Sequence, residues 1–442
     1  MVKRLNAWMN GELVGAWQVD RQVHSFQYAG SWPGSPHYRP LSLSMPLTAS
    51  REIRGDVVRN YFDNLLPDNQ NIRDRLLRRF RLQSTEAFEL LEALGRDCVG
   101  AVQLLPEDAE PLGWNSIACQ PLDEHEIAAL LESVPSEAVT SAGSDDLLRI
   151  SIAGAQEKTA LTRHNGKWCR PHGATPTTHI IKLPLGLIGG AMRRVDAGDS
   201  VHNEWLCSRI LAALGLPAAE ASIERFGPHT VLAVERFDRA WMEGGRWIAR
   251  LPQEDFCQAL GLAPSMKYES HGGPGLEHCL ALLNGSGDRG DKAYFLLAQL
   301  AFCLLAATDG HAKNFSLHLH AGGRYEMTPL YDVISMWPYF GNGANQFRAR
   351  QAGPAMTIRS KNPHRHFHTI EARHWRQLAM KHGGQATWQS MLALAQRAPT
   401  ALDEVQAQLP ADFPARTWER ISDGVRAESR RFLSEADTPP SA

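Results

Sequence analysis

The stretch Thr308-Asp309-Gly310-His311-Ala312-Lys313-Asn314-Phe315 decides how the rest of the chain is read. It sits where a long apolar, helix-like run, residues 293–307, gives way to strand-like sequence. Asp309 and Asn314 are five residues apart, so one short loop can present a carboxylate and an amide oxygen toward a common point. An Asp-Gly pair taken alone is a turn signal. It gains meaning from a second acid: Asp332, in Tyr331-Asp332-Val333, follows a strand, a turn and another strand that would carry it back beside the loop.

The same interval separates the proton-handling Asp from the metal-binding Asn in protein-kinase catalytic loops. Asp309 is therefore the candidate base, and Asn314 and Asp332 are the candidate Mg²⁺ ligands, because magnesium needs few hard oxygen donors and retains several waters. On the phosphate side, Ser151-Ile152-Ala153-Gly154-Ala155-Gln156-Glu157-Lys158 is a small-residue loop between strand-like segments, where backbone N–H groups can approach phosphate oxygens. It lacks both the Walker-A and the Gly-x-Gly-x-x-Gly patterns, and seen alone it reads as a plain β-turn. Lys182, in His179-Ile180-Ile181-Lys182-Leu183, either grips phosphates or faces solvent on an edge strand. Glu204 is a candidate partner for it. Glu235, Arg236 and Phe237 end an apolar strand where an adenine-binding hinge would fall, although a solvated strand end also accounts for their charge.

A length of 442 residues favours two or three units, each with its own core. With 43% hydrophobic and 21% charged residues, wholesale disorder is excluded. A net charge of -2 argues against a chain built to coat nucleic acid. Cysteines 98, 119, 169, 207, 257, 279 and 303 form no Cys-x-x-Cys pair, so neither a disulfide framework nor a zinc ribbon is expected. The N-terminus enters alternating sequence without an apolar leader, and no stretch approaches the roughly 20 apolar residues of a membrane span. A cytoplasmic location without membrane contact is the expectation.

Asn10-Gly11 between alternating apolar residues predicts a type I′ hairpin. Extended structure is expected at 41–47 and a basic helix at 72–80. A helix at 86–94 would put Phe88, Leu91 and Leu94 on one face. A strand at 101–105 and a helix at 123–134 follow, with a boundary near 140. Short strands are expected at 148–152, 159–161, 167–169, 179–183 and 230–236, around one helix at 203–214. From 253 the spacing is helical, apart from strands near 315–319 and 325–328. The outline is α+β: a β-rich part, then an α-rich part, as in a bilobal protein-kinase-like fold.

Eight motifs, in order, resemble the HipA toxins of bacterial type II toxin–antitoxin modules. They are Phe62-Asp-Asn-Leu-Leu-Pro-Asp68, Gly95-Arg-Asp-Cys-Val-Gly-Ala-Val102, the 151–160 loop, Thr175-Pro-Thr-Thr-His-Ile-Ile-Lys-Leu-Pro184, Val234-Glu-Arg-Phe-Asp-Arg239, Arg250-Leu-Pro-Gln-Glu-Asp255, Thr308 to Ser316 and Pro329-Leu-Tyr-Asp332. The resemblance implies an extra β-rich N-terminal subdomain over 1–140, a kinase N-lobe over 141–240 and an α-helical C-lobe over 241–442. It implies an ATP- and Mg²⁺-dependent, non-specific serine/threonine protein kinase with Asp309 as base and Lys182 on the nucleotide phosphates. Residues 153–158 would be the phosphate loop and 235–237 the hinge, with His311, Ala312, Lys313 and Tyr331 near the nucleotide. Ser151 matches the self-phosphorylated, inhibitory serine. The implied substrate is glutamyl-tRNA synthetase, with growth arrest and persistence as the outcome. The implied partner is a HipB-like helix-turn-helix antitoxin that holds operator DNA. The segment Arg373-His374-Trp375-Arg376 with Lys381-His382 is a candidate direct DNA contact, or else a solvated helix face. Two other readings stay open: a catalytically weak co-repressor subunit and a small-molecule phosphotransferase.

Overall fold

Asn10 and Gly11, with φ of 45° and 83°, turn the chain between β1 (Lys3–Met9) and β2 (Glu12–Asp20), the left-handed pair that a type I′ hairpin requires. The computed structural model describes residues 2–135, 156–189 and 194–437. By internal contacts the chain divides into two units that interleave in sequence. One comprises Met1–Leu183, Glu224–Lys267 and Ser316–Tyr325; the other comprises Pro184–Ile223, Tyr268–Phe315 and Glu326–Ala442.

In the first unit, β3 (Val23–Tyr28), β4 (Glu52–Arg54) and β5 (Val102–Pro106) complete a sheet in the order β4-β3-β2-β1-β5. Helices α1 (Asp56–Asp63), α2 (Gln70–Phe80) and α3 (Ala87–Leu94) accompany it. Trp17 of β2 stacks on Phe62 of α1 at 4.1 Å and meets Phe88 of α3 at 4.9 Å. Phe88, Leu91 and Leu94 are all buried, as their helical spacing predicts. Residues 41–47 depart from the expected strand. The Ser42 hydroxyl accepts from the Ser44 N–H at 3.1 Å, and both serine hydroxyls donate to the Gln258 carbonyl, so local side-chain bonding closes a turn.

A second sheet in this unit contains β6 (Cys119–Pro121), β7 (Lys158–His164), β8 (Lys167–Pro171) and β9 (His179–Lys182). Helix α4 (Glu124–Ser133) opens on an Asp123–Glu126 capping box. The strand His229–Glu235 pairs with β9, which pairs with β7, then β8, then β6. Its core is Leu122, Ile127, Leu131, Leu161, Ile181 and Val231. Because β9 has neighbours on both sides, Lys182 does not lie on an edge strand.

The second unit is helical, with Ser200–Ala213, Leu276–Leu282, Asp291–Leu304, Ala372–His382, Gly384–Gln406 and Ala415–Asp437. Asp291–Leu304 is its central apolar helix, burying Phe295, Leu296, Ala298, Leu300, Ala301 and Leu304. Among the described residues no helix is long and apolar enough to cross a membrane.

Candidate active site

Helix Asp291–Leu304 ends in Ala306 at φ 48°, and residues 309–314 then fold on themselves. His311 N–H and the Asn314 side-chain Nδ2 both donate to the Asp309 carbonyl, at 2.8 and 2.7 Å, and Asn314 N–H donates to the His311 carbonyl at 2.9 Å. Gly310 is required by packing: a Cβ there would sit 2.5 Å from the Phe302 ring. Phe315 anchors the far end against Phe295 at 4.9 Å and Phe302 at 5.7 Å. With its NH₂ committed, the Asn314 amide is oriented to offer Oδ1 to a ligand. His311, Ala312, Lys313 and Asn314 are buried, whereas the Asp309 side chain is 62% exposed. Tyr268 donates its hydroxyl to Asp309 Oδ1, and His311 Nε2 lies 4.0 Å from the same oxygen.

Asp332 is joined to this loop by its neighbour. The Tyr331 hydroxyl donates to the Lys313 carbonyl at 2.8 Å. Beyond it, Ser335 Oγ donates to the Leu305 carbonyl at 2.6 Å and Trp337 Nε1 to the Leu304 carbonyl at 2.9 Å, which satisfies the end of the apolar helix. The buried Asn203 amide makes two 2.8 Å bonds to the Ser335 backbone. Asp332 itself adopts φ 59°, a left-handed conformation that costs about 1 kcal/mol or more in a residue with a side chain and tends to mark functional positions. Asn314 Oδ1 and the Asp332 carboxylate are hard oxygen donors on two segments bonded to each other, a set suited to Mg²⁺. Among the described residues no group of three or more His, Cys, Asp or Glu forms a metal cage.

The remaining predicted residues belong to the first unit. Ser151, Ala153, Gly154 and Ala155 lie outside the described residues. Gln156 donates its side-chain amide to the Leu183 carbonyl, Glu157 pairs with Arg75 of α2, and Lys158 begins β7 directly opposite Lys182. Lys182 is buried, 5% exposed, and a buried ammonium requires a negative partner. Glu235 is exposed at the end of its strand, and Phe237 packs edge-on to His318 at 5.8 Å.

Arg236 does not lie on a solvated strand end. Its side chain is buried between Asp97 at 3.2 Å and Asp238 at 2.8 Å, and its N–H donates to the Thr178 carbonyl at 2.9 Å. Asp97 also meets Arg239 at 2.9 Å, Arg250 at 3.2 Å and the Thr177 hydroxyl at 2.6 Å. Burial would raise the Asp97 carboxyl, but Arg239, Arg236 and Arg250 hold it far below the ordinary range. The carbonyls of Cys98, Gly100 and Ala174 accept from the surplus guanidinium N–H groups. Gly95 to Val102, Val234 to Arg239 and Arg250 thus form one buried ionic cluster. Nearby in sequence, Glu254 is fully buried and accepts from the Leu43 N–H at 2.8 Å, and burial pushes its carboxyl up to about 8.

In the basic segment of the second unit, His374 and Trp375 are buried, Lys381 and His382 both pair with Glu277, and Arg373 pairs with Glu371. Arg376 is exposed. Tyr268 had no signal in the sequence, since Met266-Lys267-Tyr268-Glu269 carries neither periodicity nor a motif.

The sheets, the helical unit and the 309–314 loop define an α+β protein of kinase-like fold. Residues 5–105 match the HipA N-terminal domain and residues 150–413 the HipA-like C-terminal domain. Y4mE of Sinorhizobium fredii, provisionally named a kinase, is 36% identical over 346 residues, covering 76% of this chain and 78% of that protein. The serine/threonine-protein kinase toxin HipA of Shewanella oneidensis is 27% identical over 344 residues, 74% of each chain. The backbone superposes with a TM-score of 0.79 on a chain from the S. oneidensis complex of HipA, HipB and operator DNA, at 24% identity and 98% coverage of both chains. The chain belongs to the HipA family of toxin kinases.

Proposed function

We propose that this chain is a Mg-ATP-dependent serine/threonine protein kinase and the toxin of a HipBA-type module. The observation that carries the reading is the bond from Tyr331 to Lys313, which sets Asp332 beside the self-braced loop bearing Asp309 and Asn314. In this reading Asp309 orients the acceptor hydroxyl and takes its proton as the acceptor oxygen bonds to the γ-phosphorus, the bond to the β–γ bridging oxygen breaks and ADP leaves. Asn314 Oδ1 and Asp332 hold Mg²⁺, and Lys182 holds the α/β-phosphates. Bound Mg-ATP supplies the γ-phosphoryl group and the divalent charge that screens it. Residues 153–158 serve as the phosphate loop. Backbone groups of Glu235 and Phe237 serve the adenine, since Arg236 commits its side chain to the buried cluster, its N–H to the Thr178 carbonyl and its carbonyl to the Arg239 N–H. His311, Ala312, Lys313 and Tyr331 line the nucleotide position.

The finer assignments rest on the family. Residues 1–140 form the antitoxin-docking subdomain, 141–240 the N-lobe and 241–442 the C-lobe. The substrate is a translation factor, glutamyl-tRNA synthetase, whose modification arrests growth and yields persistence. Self-phosphorylation of Ser151 adds about -1.5 to -2 charges beside the loop that receives ATP phosphates, which opposes further binding. A HipB-like antitoxin is the partner, and operator DNA is held mainly through it, in the cytoplasm.

Full-length protein with Mg²⁺ and labelled ATP tests the reading, with and without the synthetase. Phosphate on Ser151 and on the synthetase is expected. Absence of both phosphotransfer and ATP binding overturns the kinase assignment, and label on Ser151 alone overturns only the substrate.

A further inference from the structure

The phenol hydroxyl of Tyr268 donates to Oδ1 of Asp309, yet the phosphoryl-transfer chemistry asks for no phenol there. A hydrogen bond from a held phenol narrows the rotamers that an exposed aspartate carboxylate visits. We propose that Tyr268 is a positioning residue: it fixes the Asp309 carboxylate so that its other lone pairs meet the acceptor hydroxyl. This rests on the kinase reading above.

The tyrosine is held at both ends. Its carbonyl accepts the N–H groups of His271 and Gly273, each at 3.0 Å. Its ring meets His311 edge-on at 4.8 Å and His271 at 5.4 Å. The next residue, Glu269, is clamped in turn, accepting from the Thr357 N–H at 2.5 Å and from the Arg359 guanidinium at 2.6 Å. Gly275 lies so close that a Cβ there would come within 2.8 Å of the Glu269 carboxylate. Thus the segment that carries the phenol is tied to residues 357–359 and to the catalytic loop itself.

A neutral donor suits the task. Guanidiniums bonded to a carboxylate, as at Asp97, weaken its attraction for a hydroxyl proton more than a phenol does. A phenol orients the carboxylate while leaving it negative. Positional errors of about 1 Å cost catalysts up to about a hundredfold, so a single orienting hydrogen bond is worth a measurable part of the rate.

Tyr268→Phe removes the hydroxyl and keeps the ring. In full-length protein, the rate of phosphate transfer from labelled ATP at saturating ATP should fall about tenfold. The ATP concentration at half-maximal rate and the melting temperature should match wild type. Made on top of Asp309→Asn, the same change should cause no further loss, because the two residues act as one unit. A variant as fast as wild type or faster overturns the proposal, as does an equal loss in the Asp309→Asn background or a rate loss explained by weaker ATP binding. Wild-type protein that transfers no phosphate overturns the kinase reading, and this proposal with it.

Discussion

Asp97 and Asp309 both lie beside glycine-containing turns in charge-rich motifs, and the molecule places them in opposite settings. Asp97 is enclosed, with both oxygens engaged by three arginines and a threonine. Asp309 is 62% exposed, and its Oδ1 accepts from the Tyr268 phenol with His311 Nε2 4.0 Å away. A carboxylate in a protein interior persists only when opposite charge and hydrogen bonds compensate its lost hydration. Once compensated so fully it can hold segments together but has little left for a ligand. The difference teaches that a dense polar motif marks importance without saying which kind. Arg236 illustrates this: it lies within the candidate hinge in sequence, and its side chain belongs to the structural cluster.

The comparison can be broken in several ways. The largest effect is expected from Asp309→Gln, which should lower phosphoryl transfer by about a thousandfold or more while ATP affinity and melting temperature persist. Wild-type turnover in that variant removes Asp309 from the chemistry. Asp97→Ala should act in the reverse sense. It strands buried guanidiniums and should cost about 3–5 kcal/mol in a urea titration. A stable Asp97→Ala protein that has lost ATP binding would place both acids on the functional side.

Glu254 sharpens the contrast, because it is a buried carboxyl without the arginines of Asp97. Its folded value of about 8 stands above the ordinary 4.5, so the folded protein keeps a proton that the unfolded chain has released. Its contribution to stability is full below pH 4.5 and declines as pH rises toward 8, at up to about 1.4 kcal/mol per pH unit. Glu254→Gln should flatten that slope, and an unchanged slope means the carboxyl is ionised in the fold. The smallest effect should come from Asp332→Asn, which should weaken nucleotide binding about tenfold when Mg²⁺ is present and leave metal-free binding unchanged. Equal binding with Mg²⁺ removes Asp332 from the metal.

Local signals were legible wherever they act over a few residues. The Asn10-Gly11 hairpin, the buried face of α3, the capped α4 and the apolar helix before Asp309 follow from turn chemistry and periodicity. Residues 41–47 misled because Ser42 and Ser44 donate to the Gln258 carbonyl, more than two hundred positions away, instead of joining a ladder. Tyr268 was invisible because its partner is 41 positions away and no spacing rule links them. Asn10 shows the two levels together. Its turn was predicted, but its side chain also makes paired 2.9 Å bonds to the backbone of Arg250.

By itself the sequence determined the α+β outline and the family and put Asp309, Asn314 and Asp332 forward as a candidate set, since these depend on order, composition and spacing. Only the tertiary structure decided which charged residues are enclosed and which stay exposed. Asp97, Arg236, Arg239 and Arg250 are drawn together from positions more than a hundred residues apart. Their role is set by burial, a property of the folded chain, and no local stretch of residues carries it.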